Sequence, residues 1–210
     1  MAFVKTAVGI ILAAAALAAA QFPVSHEHIR GVCRGTLTVD ARGVSFDGPK
    51  GHAWSWPLVE IQQLKVSPEG VTVLTYVRDR RFIFTGATPA TQIVAQLREP
   101  MGGKLVAAIA EPEPGGWMIA ARELRPESQG SLAIGARSIV YSTAAPAESR
   151  TWRFADIQTI SSAGAFELTI TTLERTFHFQ LKEPLSEARY DALWMDFQKS
   201  TGHIRASGLQ

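Results

Sequence analysis

Two stretches of the chain, RGTLTVDARGVSFD (34–47) and QGSLAIGARSIVYS (129–142), lie over one another at a constant offset of 95. Gly35 meets Gly130, Leu37 meets Leu132, Val39 meets Ile134, Arg42 meets Arg137, Val44 meets Ile139 and Phe46 meets Tyr141. After one inserted residue, WSWPLVEIQQL (54–64) lies over RTWRFADIQTI (150–160), matching Trp56 to Trp152 and Ile61 to Ile157. The offset then returns to 95, with Phe82-x-Phe84 over Phe177-x-Phe179 and, upstream, Phe22 over Trp117 and Arg30 over Arg125. Self-similarity of this extent means that one folding unit is written twice.

Alternating apolar and polar residues mark half-buried strands. In the first copy they fall at 22–29, 34–40, 43–47, 52–57, 59–66, 70–77 and 80–85, punctuated by Ala41-Arg42-Gly43, Gly48-Pro49-Lys50-Gly51, Ser67-Pro68-Glu69-Gly70 and Arg78-Asp79. The period then changes to that of a helix. Thr88 is placed to cap it with Pro89 at its first position, and Ile93, Val94 and Leu97 form one stripe. In the second copy Ser186 caps, and Tyr190, Leu193, Trp194 and Phe197 form the stripe. The expected class is mainly β with helices: two tandem units, each a seven-stranded antiparallel bent sheet or barrel closed by a C-terminal helix. The expected boundaries are 21–100 and 117–200, with a linker at 101–116 and a tail at 201–210. Within the linker, Leu105 to Ala110 is an apolar piece that packs onto one unit, and Glu111-Pro-Glu-Pro-Gly-Gly is a hinge. Two four-stranded sheets with a packed helix, unrelated to any barrel, are the alternative.

Composition narrows the function classes. The chain has 210 residues, 46% hydrophobic and 19% charged, with one cysteine and a net charge of +2. That excludes a disordered chain and a disulfide scaffold, and it gives no basis for a phosphate-backbone binder, so no nucleic acid is expected. Residues 1–20, MAFVKTAVGIILAAAALAAA, carry one charge at Lys5 and an apolar run from Ala7 to Ala20. The run is shorter than the ~20 residues that span a bilayer. Ala18 and Ala20 occupy the small-residue places of a cleavage site before Gln21, so the segment reads as a signal peptide, with a retained anchor as the alternative. Export to the periplasm or the extracellular space follows from it. There Cys33 has no internal partner and is expected to be a small buried residue at a strand start, or else one half of an intermolecular disulfide.

The G-x-L-x-V…G-V-x-F opening (Gly35, Leu37, Val39, Gly43, Val44, Phe46), the W-x-x-x-x-I motif (Trp56, Ile61; Trp152, Ile157) and the late F-x-F pair resemble pleckstrin-homology-like and GRAM-like domains. The segment HEHIRGVCRGTLTVD (26–40) is similar to the opening of exported bacterial proteins of that type. The resemblance implies a non-catalytic binding or scaffolding protein with a protein or peptide partner. The partner would be taken at a sheet edge, in a groove between a late strand and the helix, or in the interdomain cleft; a membrane surface is a second class of partner.

The candidate binding residues are Trp54, His26, His28, Arg30 and Arg34. His26 and His28 lie two apart on one strand and share a face, which suits two imidazoles on one metal ion. A third ligand would come from His52, from Glu27 or from the second copy. Arg30 and Arg34 stand where phosphoinositide-binding members of the resembled family hold a head group; pairing with Glu27 and Asp40 is the plainer reading. Trp54 has no aromatic counterpart in the second copy, which makes it the aromatic expected to meet a partner. Asp79-Arg80 and Glu174-Arg175 are expected to be charged hairpin turns facing water. No nucleophile elbow, zinc-protease, P-loop or dinucleotide motif is present, so neither an enzyme nor a cofactor is expected.

Overall fold

The computed structural model describes residues 19–28 and 31–202. Nearly all of the leader, Arg30 and the end of the tail lie outside them. The chain runs through β1 (Ala20–His28), β2 (Gly31–Asp40), β3 (Gly43–Asp47), β4 (Ala53–Pro57), β5 (Ile61–Ser67), β6 (Gly70–Thr75), β7 (Asp79–Phe84), α1 (Ala90–Met101) and β8 (Leu105–Ala107). It continues through β9 (Trp117–Leu124), β10 (Glu127–Ile134), β11 (Ser138–Thr143), β12 (Arg150–Arg153), β13 (Ile157–Ser161), β14 (Glu167–Thr172), β15 (Thr176–Leu181) and α2 (Glu187–Ser200).

The strands form one sheet, in the order β13-β14-β15-β9-β10-β11-β12-β8-β5-β6-β7-β1-β2-β3-β4. This corrects the expectation of two separate seven-stranded units, each closed by its own helix: fifteen strands share a single mixed sheet, and the described residues contain two α-helices. The element responsible is β8, inside the segment read as a linker. Leu105, Val106 and Ala107 are all buried. A buried backbone must find hydrogen-bond partners, and β8 finds them on both sides, running parallel to β5 (Leu64↔Leu105 to Val66↔Ala107) and antiparallel to β12 (Thr151↔Ala107). The Ala108 N–H donates to the Val66 carbonyl at 2.8 Å. A short apolar run without alternation is how a strand buried on both faces reads in sequence, so Leu105 to Ala110 carried the signal of a strand.

Two apolar clusters line the sheet. The first gathers Leu37, Val39, Val44, Phe46, Leu64 and Phe82 with Ile93, Val94 and Leu97 of α1; the second gathers Leu132, Ile139, Tyr141, Trp152, Phe177 and Phe179 with Leu193 and Phe197 of α2. The repeated glycine has a steric origin. A Cβ on Gly35 would lie 2.2 Å from the Asp47 carbonyl oxygen and 2.6 Å from the Phe46 ring, and one on Gly130 would lie 2.1 Å from the Ser142 oxygen. Each copy thus lays its third strand directly on a residue without a side chain. The helices differ from expectation in detail. Ser186 caps α2 by accepting the Arg189 N–H, but Thr88 does not cap α1, because its hydroxyl donates to the Pro68 carbonyl. Trp194 sits at the exposed border of α2 rather than in the core.

Charges also join the halves. Arg150, only 1% exposed, forms a bidentate pair with Glu174 (3.0 and 2.9 Å), and Lys65 of the first half lies 3.8 Å from the same carboxylate. Burial, and after it the neighbouring Arg150 charge, holds the Lys65 ammonium below its usual range. Arg153 reaches back to Glu99, and the Glu111 N–H donates to the Thr151 hydroxyl at 3.0 Å, tying down the start of the expected hinge. Glu123 is fully buried, 2.7 Å from an Arg175 nitrogen. Burial raises its carboxyl pKa, and Arg175 only partly opposes that. Asp79-Arg80 and Glu174-Arg175 are therefore not simple solvated turns: the second pair supplies ions to this buried network, and Arg80 lies over an indole described below.

Ala108→Pro removes the N–H given to Val66 and leaves a buried carbonyl unpaired. It is expected to cost about 1–3 kcal/mol and to split urea unfolding into two transitions, followed by tryptophan fluorescence and far-ultraviolet circular dichroism. A second expectation concerns Glu123. Its raised pKa means that the folded state holds the proton more tightly than the unfolded one, so stability falls as pH rises from its ordinary value near 4.5 through the raised value. Glu123→Gln stays neutral and should lose that fall, read as the thermal midpoint against pH for both proteins.

Candidate functional site

The sequence-predicted residues within the described chain meet at one corner, where the His28↔Gly31 end of the β1–β2 hairpin faces the 3-10 turn Pro49–Gly51 and the start of β4. Along β1 the inward side chains are Phe22, Val24 and His26, all buried; His28 is next on that face, at the end of the strand, and is exposed. The pairing His26↔Cys33 and His28↔Gly31 puts Cys33 on the same face, diagonally across from His28. His52 comes from the far side. Its N–H donates to the Pro49 carbonyl, and its own carbonyl accepts the Gly48 N–H at 2.9 Å, which pins the turn that presents the ring.

The expected pairing of His26 with His28 is not a two-imidazole chelate. The rings are neighbours, with centroids 6.1 Å apart, but His26 is 7% exposed and its Nδ1 is 2.9 Å from the Arg81 carbonyl oxygen. It packs against Trp54 and Phe82, with centroids at 5.2 and 5.3 Å. Burial among aromatics makes it a core residue. The groups that do converge are His28, Cys33 and His52, whose potential ligand atoms all lie within 4.8 Å of one another. His52 Nδ1 is buried without a hydrogen-bond partner among the described residues. These side chains, with Arg34, line an open depression of about 710 Å³.

Trp54 is half-buried rather than freely exposed. It stacks on Phe46 (5.4 Å) and on His52 (5.9 Å), and the Arg80 guanidinium carbon sits 3.8 Å above its ring, a cation–π contact that covers one face of the indole. Trp56 continues the stack at 6.4 Å. Arg34 is exposed and, among the described residues, makes no ion pair. Asp40, one of its expected partners, accepts the backbone N–H groups of Arg42 and Gly43 at 2.8 and 3.0 Å and pairs with the Arg42 side chain instead. The Arg42 N–H is the chief cause holding the Asp40 carboxyl below its usual range.

Sequence reasoning put His28 and His52 forward and missed Cys33 as a donor. The signal lay in the hairpin itself: with Cys33 opposite His26, His28 is its diagonal neighbour on the same face. In the second copy the matching corner carries Glu123, Ser128 and Glu148. There Ser128 bonds the Tyr141 hydroxyl at 2.9 Å and Arg175 closes on Glu123. The imidazole–thiol grouping thus belongs to the first copy alone.

No protein-family model and no curated protein matches this chain. Among solved structures, the C-terminal domain of an unknown protein from Leishmania infantum aligns at 16% identity over 39% of this chain and 81% of that one, with a TM-score of 0.31. The Spt16D Pob3N heterodimer aligns at 12% identity over 74% of this chain and 83% of that one, with a TM-score of 0.35. Likenesses at these scores assign neither a fold family nor a function.

Proposed function

We propose that the chain is an exported, non-catalytic binding protein that takes an extended segment of another polypeptide as an added strand along β4. The free edge of β4 carries this reading. Among the described residues β4 ends the sheet and pairs only with β3, in an unbroken register from Gly43↔Pro57 to Asp47↔Ala53. The bonds flanking it, Leu58 N–H to the Arg42 carbonyl and Gly48 N–H to the His52 carbonyl, put even-numbered β4 residues in hydrogen bond with β3. By alternation Ala53 and Ser55 turn both N–H and C=O outward, and Pro57 turns its carbonyl outward.

Natural edges are usually guarded by charge, by bulges or by a covering element. The strand AWSWP bears no charge, and its one proline affects only the last position. The opposite edge, β13, has a bulge between Ile157 and Thr159. An incoming strand would find its main-chain bonds at Ala53 and Ser55, and its inward side chains would meet Trp54 and Trp56, so the preferred ligand is an extended segment with apolar residues at alternate positions. The leader-like composition of residues 1–20 supports export.

A random peptide library displayed against the purified chain tests this. Enriched peptides should carry alternate apolar residues and lose at least about tenfold in affinity to Ser55→Pro, which removes an outward N–H while sparing the ladder to β3; thermal unfolding should hardly change. Enriched peptides that bind Ser55→Pro as well as the parent protein would place the binding surface elsewhere.

A further inference from the structure

The geometry points to a metal site at His28, Cys33 and His52, taking one thiophilic d10 ion of the zinc(II) or copper(I) class. It is independent of strand addition at β4. The three donors arrive from three segments, the end of β1, the start of β2 and the turn before β4, and their ligand atoms lie within 4.8 Å of one another. Nitrogen bonds to such an ion are about 2.0–2.1 Å and sulfur bonds about 2.3 Å, so donors sharing it sit roughly 3.3–3.8 Å apart. The remaining gap is within a side-chain rotation of His28, which stands exposed at the end of its strand.

Two further observations mark the place as built for a ligand. The His52 Nδ1 is buried and has no hydrogen-bond partner among the described residues, a state that costs free energy unless something binds there. Cys33 is 6% exposed and forms no disulfide, yet its thiol faces two imidazoles rather than aliphatic neighbours alone. Stacking on Trp54 and the bonds that pin the Gly48–His52 turn orient the His52 ring in advance.

The donor chemistry selects the ion. One thiolate and two neutral imidazoles, with no carboxylate in the set, suit soft or borderline ions over calcium, magnesium or manganese. Three protein ligands complete a trigonal copper(I) centre, or leave a zinc ion one open position toward the depression beside Arg34. Binding displaces the thiol proton to solvent, so affinity rises with pH.

The test uses the full chain, reduced and stripped of metal, titrated with zinc(II) against a chromophoric chelator, with copper(I) under anaerobic conditions, and with cobalt(II) as a spectroscopic stand-in for zinc. One ion per chain is expected, and the cobalt form should show a thiolate-to-metal charge-transfer band. Cys33→Ser should abolish the band. His28→Ala and His52→Ala should each weaken binding by more than the about 10–100-fold typical of losing an outer-shell contact, while His178→Ala, an exposed histidine on β15, should leave it unchanged. If Cys33→Ser unfolds, judged by circular dichroism, His28→Ala at the exposed rim decides alone. Tight binding of zinc or of copper alone upholds the site and names its ion. The site is overturned if neither ion binds stoichiometrically, if zinc binds but the cobalt form shows no charge-transfer band, or if binding survives His28→Ala at full strength.

Discussion

Main-chain hydrogen bonding on both sides of a three-residue strand governs the architecture. β8 is too short to stand alone, and it is buried, so its peptide groups must be satisfied by β5 on one side and β12 on the other. Once they are, the two copies of the repeat share a sheet. The contacts that accompany the junction reinforce it: Lys65 shares the carboxylate that pairs with Arg150, Arg153 reaches Glu99, and Glu111 is bonded to Thr151. Each is worth little if exposed, but several here are largely shielded from solvent, where an unmatched charge is expensive.

The duplicated unit then has two fates at one position. In the second copy the hairpin corner is closed by its own charges, Glu123 against Arg175 and Arg150 against Glu174. In the first copy Trp54 stands in place of Arg150, and imidazoles and a thiol stand in place of carboxylates and a hydroxyl. The shared framework of Gly35 and Gly130, Phe82 and Phe177, Trp56 and Trp152 does not need either solution, so the corner was free to diverge.

The sequence made most of the local structure legible because its signals were local. Alternation located the strands to within a few residues, Ser186 and the aliphatic stripes located the helices, and the offset of 95 exposed the repeat. What it did not reveal depends on pairing at long range. Leu105 to Ala110 gave an apolar run, but nothing nearby in the chain says that β5 and β12 lie on either side of it. Glu174 and Arg175 looked solvated because their partners, Arg150 and Glu123, are 24 and 52 positions away. At the candidate site His28 and His52 were read from residue type. Cys33 was missed because a lone cysteine in an apolar strand resembles a core residue until the hairpin sets it beside them, and His26 was misjudged because sharing a face does not say whether that face is inside.

The two rims of the sheet are unlike. A molecule with two bare rims could stack copy upon copy through continuous main-chain pairing, as fibrils do. With a bulge disturbing β13 and only β4 smooth, the pattern lacks the second half needed to propagate. At most two molecules could meet rim to rim, and growth would stop there, which lets a sheet of this width carry an adhesive border without becoming a seed for polymerisation.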